Sequence, residues 1–439
     1  MGRRPLAADE SRSGTKGRLM AIGKCEPGWK GAGLPLAAAV LISSAASQFI
    51  AGPSIAGTPT KMQTNAVTFD PIAFSDIAGW TDDNHLAAWK AFLASCGPIL
   101  KTASPDPKPD EPRFKQDLLN VCRLALTKVK PGVRTRKDAR RFFETYFRPH
   151  RVSGAKGAGL LTGYYEPLIK GSRVRTAEFT VPIYRRPSDL VNIVSESERG
   201  AKSSSATHMR KTERGLEPFL TRAEIEQGGL AGQGLELMYF KDPVDVFFMQ
   251  VQGSGRVELP DGQKVRVAYD GKNGYPYTSI GRALIEEREI SAEAMSLKAL
   301  KQWLRANSER ARAVMWKNES YVFFRELTGS DAKGPVGANS IPLQPRRSLA
   351  VDTSYYTLGT PIFVDAPEIT HATKDGAFRQ LMIAHDVGSA IKGPERGDIY
   401  FGSGDEAGRL AGVTKQTGHF IVLLPVKHPL EHQAAGGAP

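Results

Sequence analysis

Two runs near the C-terminus, Ala384-His-Asp-Val-Gly-Ser-Ala-Ile-Lys-Gly-Pro394 and Gly397-Asp-Ile-Tyr-Phe-Gly402, decide how this sequence is read. Each joins an apolar strand to glycines and sets one aspartate, Asp386 or Asp398, at the strand end. A rigid strand end can present a carboxylate at a cleft, although such aspartates are commonly turn formers or acceptors for backbone N–H groups. Similar short strands flank the two runs: YVFF (Tyr321–Phe324), SLAV (Ser348–Val351), PIFV (Pro361–Val364) and HFIVLL (His419–Leu424). The strand character begins at Gly159, with GLLTGYYEPLI, FTVPIYR, LELMYF and VDVFFMQVQG. Asp261-Gly262 supplies the turn of a hairpin over Val257–Val267.

Helices are appended to these strands rather than alternating with them, which argues against a doubly wound sheet. Leu86, Trp89, Phe92, Leu93 and Cys96 recur at helical spacing. After the break ASPDPKPDEP (Ala103–Pro112), further helices hold Phe114, Leu118, Leu119 and Cys122, and then Phe142, Phe143, Tyr146 and Phe147. Thr221 with Glu224 forms a capping box, and helices occupy Thr278 to Lys317. Pro187–Gly215 is nearly without apolar residues and reads as a mobile insertion, and Val426–Pro439 as a disordered tail. The fold class expected is therefore mainly β with appended helices.

The chain has 439 residues, room for two domains, and a net charge of +13 that draws it to polyanions. Its first thirty residues are basic, Gly31 to Thr60 carries no charge, and Leu34–Ala46 is apolar and followed by small residues. That pattern describes a signal peptide and predicts export to the periplasm. No cysteine directly follows the apolar stretch, so the lipoprotein pattern is missing, although outer-membrane association stays open. Cys96 and Cys122, in neighbouring helices, pair or remain free thiols.

Chemistry-bearing residues fall in three places. Thr162-Gly163-Tyr164-Tyr165 offers ring faces and hydroxyls suited to a sugar. Gln250 and Gln252 lie on one face of a strand that runs into Gly253-Ser254, followed by Lys272, Asn273 and Tyr277. Buried amides need partners, which a sugar or an internal network can supply. The third place is the Asp386/Asp398 pair with Lys392 and Tyr400. No His or Cys stands at metal-ligand spacing, no phosphate-loop or nucleic-acid recognition motif occurs, and no cofactor is expected. Ser389-x-x-Lys392 matches a penicillin-recognising acyl-enzyme pattern without its companion motifs.

The runs TGYYEP (Thr162–Pro167), VPIYRRP (Val181–Pro187), MQVQGSG (Met249–Gly255), YDGKNGYPYTSIG (Tyr269–Gly281), VDTSYYTLGTP (Val351–Pro361), DVGSAIKG (Asp386–Gly393) and DIYFGSGDEAG (Asp398–Gly408) resemble the membrane-bound lytic transglycosylase A (MltA) family. Its C-terminal part looks like the domain named for three aspartates, matched here by Asp352, Asp386 and Asp398. The resemblance covers roughly residues 70–425. It implies a double-psi β-barrel built from residues 61–167 and 330–425, interrupted by a second β-barrel inserted at 168–329, with the glycan in the groove between them. It further implies a peptidoglycan exotransglycosylase that cleaves between N-acetylmuramic acid and N-acetylglucosamine and leaves a 1,6-anhydro end. By motif Asp398 is the catalytic acid, Asp386 orients the sugar or Asp398, and Asp352 is structural. Peptidoglycan strands are the expected partner, a wall-synthesis complex stays open, and a monomer is expected. A serine acyl enzyme and a non-catalytic wall-binding module are the competing readings. Ser389 stands where the family has glycine, which weakens the serine alternative.

Overall fold

The structure, a computed structural model, describes residues 67–103, 114–153, 159–193, 207–329, 334–373 and 376–427. Strand β1 (Thr68–Pro71) leads into helices α1 (His85–Thr102), α2 (Phe114–Leu124) and α3 (Arg136–Tyr146), where the spacing of apolar residues predicts them. Asn84 caps α1 by accepting from the Ala87 N–H, and Thr135 forms a capping box with Asp138 at α3. Trp89 and Phe142 meet at 4.4 Å between ring centroids, and Phe92 and Phe143 at 6.1 Å. Cys96 and Cys122 form a disulfide between α1 and α2, with Cα atoms 5.2 Å apart.

Strands β2 (Phe147–Ser153) and β3 (Gly159–Glu166) follow. Next come β4 (Leu168–Ser172), β5 (Val181–Tyr184), β6 (Leu190–Asn192), β7 (His208–Thr212), β8 (Gly215–Glu217), the single turn α4 (Arg222–Glu224) and β9 (Glu236–Phe240). Helix α5 (Pro243–Gln252) precedes the hairpin of β10 (Ser254–Glu258) and β11 (Lys264–Lys272). Helices α6 (Ile280–Glu286), α7 (Leu297–Ala306) and α8 (Ser308–Trp316) lead to β12 (Val322–Leu327). The chain then makes β13 (Ser348–Ala350), β14 (Pro361–Ala366), β15 (Phe378–Asp386), β16 (Arg396–Ser403), α9 (Asp405–Val413) and β17 (Lys415–Pro425).

The larger sheet runs β1-β2-β17-β14-β15-β13-β16-β3, and β17 also pairs with β3. Six strands, β17, β14, β15, β13, β16 and β3, thus pair in a ring. The length of β17 permits it, because Lys415–Gly418 pair with β3 while later residues pair with β14 and β2. Alternation sends Phe363, Leu381, Ile383 and Ile421 against the helices, and Ile362, Val364, Met382, Ile399 and Phe420 into a second core. A six-stranded sheet, β12-β11-β10-β4-β9-β5, comes from Leu168–Leu327. The architecture is mainly β with appended helices.

Two expectations fail. Val244–Gln252, read as a strand, lies in helix α5. Asp242 caps it by accepting from the Val244 N–H, Pro243 occupies its first turn and Gly253, at φ 75°, ends it. The run is apolar all round, because Val246, Phe247, Phe248 and Met249 are all buried, so periodicity cannot separate helix from strand. The stretch Pro187–Gly215 is not wholly irregular either. Its ends contribute β6 and β7, which with β8 form a three-stranded sheet in which Arg210 pairs with Asp189 at 2.7 Å. Residues 194–206, most of the break after α1 and the tail from 428 lie outside the described residues.

Candidate active site

Strands β3 and β16 run parallel, with Asp398 opposite Thr162 and Tyr400 opposite Tyr164. The period of two puts Thr162, Tyr164 and Glu166 on one face, and the register aligns them with Asp398, Tyr400 and Ser403. Thr162 Oγ1 donates to Asp398 Oδ1 at 2.6 Å, and Arg396 Nη2 donates to Thr162 Oγ1 at 2.8 Å. Asp398 therefore has one oxygen held by a hydroxyl that a half-buried cation keeps in place. Tyr164 Oη donates to Asp386 Oδ2 at 3.0 Å, and the rings of Tyr164 and Tyr400 lie 5.2 Å apart. Asp386 Oδ1 also accepts from the Ala338 and Val387 N–H groups, at 3.1 and 2.9 Å.

Desolvation dominates the electrostatics. Burial pushes the Asp398 carboxyl up to about 6, opposed by the charge of Arg396 and the Thr162 hydrogen bond. Burial likewise pushes Asp386 up to about 7; its three hydrogen bonds pull it down and the charge of Asp398 pushes it further up. Burial and the charge of Asp386 hold Tyr164 well above its ordinary value, so its hydroxyl keeps its proton and donates. Two coupled carboxyls poised near neutrality are suited to proton transfer.

The remaining candidate residues are dispersed. Tyr165 lies on the opposite face of β3, packed into the core with Phe401 and Ala407, and its N–H donates to Gln252 Oε1 at 2.9 Å. Its ring lines a separate cleft of about 1180 Å³ with Asp245, Lys301, Arg305 and Asp405. Gly163 is a packing position: a Cβ there would come within 2.5 Å of the Phe401 ring and 2.7 Å of Ala411 Cα. Gln250 and Gln252 do not share a face, since two residues along a helix are about 200° apart. Gln250 is buried in α5, and Ser254 starts β10 opposite Ala268. Asn273 is spent on backbone, donating to the Leu220 and Glu319 carbonyls and accepting from the Tyr321 N–H, each at 2.8 Å. Lys272 Nζ donates to the Tyr275 carbonyl at 3.3 Å, and burial raises Tyr277. Asp352 braces a loop, accepting from Ser354 and Gly393 N–H groups at 3.0 and 2.8 Å. Burial lowers Lys392, opposed by the charge of Asp352, and Ser389 is exposed.

Sequence reasoning missed Arg396, Glu166 and Ser403. Strand alternation was the available signal for Arg396, which stands two residues before Asp398. Glu166 is fully buried and bridges the two sheets: Arg266 Nε donates to its Oε1 at 2.7 Å and Ser403 Oγ to its Oε2 at 2.5 Å. Ser403 Oγ in turn meets Tyr400 Oη at 3.3 Å. Among the described residues no group of His, Cys, Asp or Glu side chains is arranged to hold a metal ion.

Family models match residues 160–325 as the MltA specific insert domain and residues 347–424 as the 3D domain. The chain is 38% identical over 267 residues to the membrane-bound lytic murein transglycosylase A of Vibrio cholerae, covering 60% of this chain and 64% of that protein. The crystal structure of the membrane-bound lytic murein transglycosylase of Agrobacterium tumefaciens matches with a TM-score of 0.73 and 37% identity, over 82% of this chain and 98% of that one. MltA of E. coli, solved with bound chitohexaose, matches with a TM-score of 0.59 and 30% identity, over 82% and 95% of the two chains. Fold and relatives together place the chain in the class of lytic murein transglycosylases. Within that class, it belongs to the membrane-bound lytic murein transglycosylase A family.

Proposed function

We propose that this chain cleaves the β-1,4 bond between N-acetylmuramic acid and N-acetylglucosamine in peptidoglycan, with Asp398 as acid and then base. The observation that carries the reading is the Asp398 carboxyl, half-buried, raised to about 6 and, among the described residues, held through one oxygen, at 2.6 Å from Thr162. Protonated, its other oxygen gives a proton to the leaving glycosidic oxygen as the C1–O bond breaks. The C6 hydroxyl of the muramic acid then bonds to C1. The Asp398 carboxylate takes the proton that this hydroxyl loses, closing the 1,6-anhydro ring and restoring the acid. No second nucleophilic carboxylate is required, in contrast to hydrolytic glycosidases, because the attacking oxygen is part of the substrate at high effective concentration. Asp386 holds the Tyr164 hydroxyl and so fixes the wall of rings beside Asp398.

The six-stranded ring is read as the double-psi barrel, and the sheet of Leu168–Leu327 as the inserted barrel. The family's membrane-bound relatives and the basic, then apolar, N-terminal sequence support a place in the cell envelope, on the periplasmic side. No helix among the described residues is long and apolar enough to cross a membrane. Digestion of purified murein followed by mass spectrometry of the fragments tests the reading. Anhydromuramic ends made by the wild type and by Ser389→Ala are expected; reducing ends in their place would refute it.

A further inference from the structure

On the second sheet, Arg256 of β10 stands directly opposite Arg266 of β11. Like charges facing each other across an antiparallel pair are destabilising, so the arrangement calls for anions. Among the described residues the anion between them is Glu166, which takes Arg266 at 2.7 Å and lies 3.7 Å from Arg256. At 3.7 Å the second contact is an ion pair rather than a hydrogen bond. One carboxylate thus serves two guanidiniums, and the Arg256 side chain remains 32% exposed while that of Arg266 is 11% exposed. Arg256 is also fixed in place, since its N–H donates to the Pro167 carbonyl at 2.8 Å and its strand pairs with β4.

The position of this surplus charge is what gives it meaning. Glu166 shares a strand face with Thr162, four residues away, so the cluster lies on the order of 13 Å along the sheet from the Thr162–Asp398 hydrogen bond. Ser403 and Tyr400 form the line between them. A glycan extended over Asp398 would bring a neighbouring sugar, or the arm it carries, to Arg256. We propose that Arg256 binds a carboxylate of the murein chain, either on the 3-O-lactyl arm of a muramic acid or on its stem peptide, and so distinguishes murein from neutral glycans. This rests on the transglycosylase reading above. A guanidinium with open donors recognises a carboxylate through paired N–H···O bonds, which a neutral N-acetylglucosamine chain cannot supply.

The test measures binding by calorimetry in an Asp398→Asn background, with and without Arg256→Gln or Arg256→Lys. Three ligands are compared: glycan strands bearing stem peptides, strands stripped of peptide so that lactyl carboxylates are free, and chitohexaose. Arg256→Gln is expected to weaken one or both muramyl ligands about tenfold, to flatten their salt dependence and to leave chitohexaose unchanged. Loss on peptide-bearing strands alone assigns the stem carboxylate, and loss on stripped strands alone assigns the lactyl arm. Arg256→Lys is expected to recover part of the loss by keeping the charge. Equal loss on all three ligands, or on none, overturns the proposal while leaving the transglycosylase reading standing. A parent that binds no ligand at all overturns both.

Discussion

Replacing Asp398 by Asn is expected to stabilise the protein at neutral pH. Burial lifts this carboxyl from 3.8 to about 6, so between those values the folded chain holds a proton that the unfolded chain has released. Stability from this group is therefore intact below about pH 4, declines as pH rises through the window, and is lost in full above the folded value. Two pKa units correspond to about 3 kcal/mol, and the partial exposure of the side chain reduces this to about 1–2 kcal/mol. An amide avoids the cost and still offers an oxygen to the Thr162 hydroxyl, which now donates to Asp398 at 2.6 Å. Urea unfolding at pH 4 and pH 7.5 checks the sign: the variant should match the wild type at the lower pH and exceed it by about 1–2 kcal/mol at the higher. An Asn variant equal to or weaker than the wild type at pH 7.5 would refute burial as the source of the shift.

Three further outcomes are expected. Thr162→Val removes the donor that holds the Asp398 charge, so the high-pH limb of the lytic rate should move up by about one to two pH units, as a charge-assisted hydrogen bond of about 1.5–3 kcal/mol requires; a downward move contradicts the assignment. Glu166→Gln removes the buried carboxylate charge that faces Arg266, whose side chain is 11% exposed, and should cost about 3–5 kcal/mol in chemical unfolding; a loss below about 1 kcal/mol would show that the bridge between the sheets is incidental. The Cys96→Ser/Cys122→Ser pair opens a loop of 26 residues and should lower stability by about 3.5 kcal/mol, read from denaturant midpoints, and an unchanged midpoint would contradict the bond.

How far the sequence revealed the fold follows from where its signals are local. The capping box at Thr221 and the Asp261-Gly262 turn are contained within a few residues, and the structure has them in place. The Asp398–Thr162 contact spans 236 positions, and nothing in the spacing of the two motifs signals it. Helix α5 was misread because burial on all sides erases amphipathic periodicity, leaving Asp242, Pro243 and Gly253 as the informative residues. Residue type alone could not separate Tyr164 from Tyr165, yet alternation along β3 sends the first to Asp386 and the second to the core. Asn273 and Gly163 read as sugar contacts because packing glycines and backbone-bracing amides have the same composition as a ligand loop. Glu166 lay inside a quoted motif, but its role depends on Arg266, a hundred residues on, which no local pattern signals.

The central claim, that a single carboxyl at position 398 serves as both acid and base, is tested most directly by the turnover of murein by Asp398→Asn. The amide cannot donate the proton, so the release of anhydro fragments should fall by at least about a thousandfold while affinity for the glycan persists. An Asn variant that keeps the wild-type rate would contradict it.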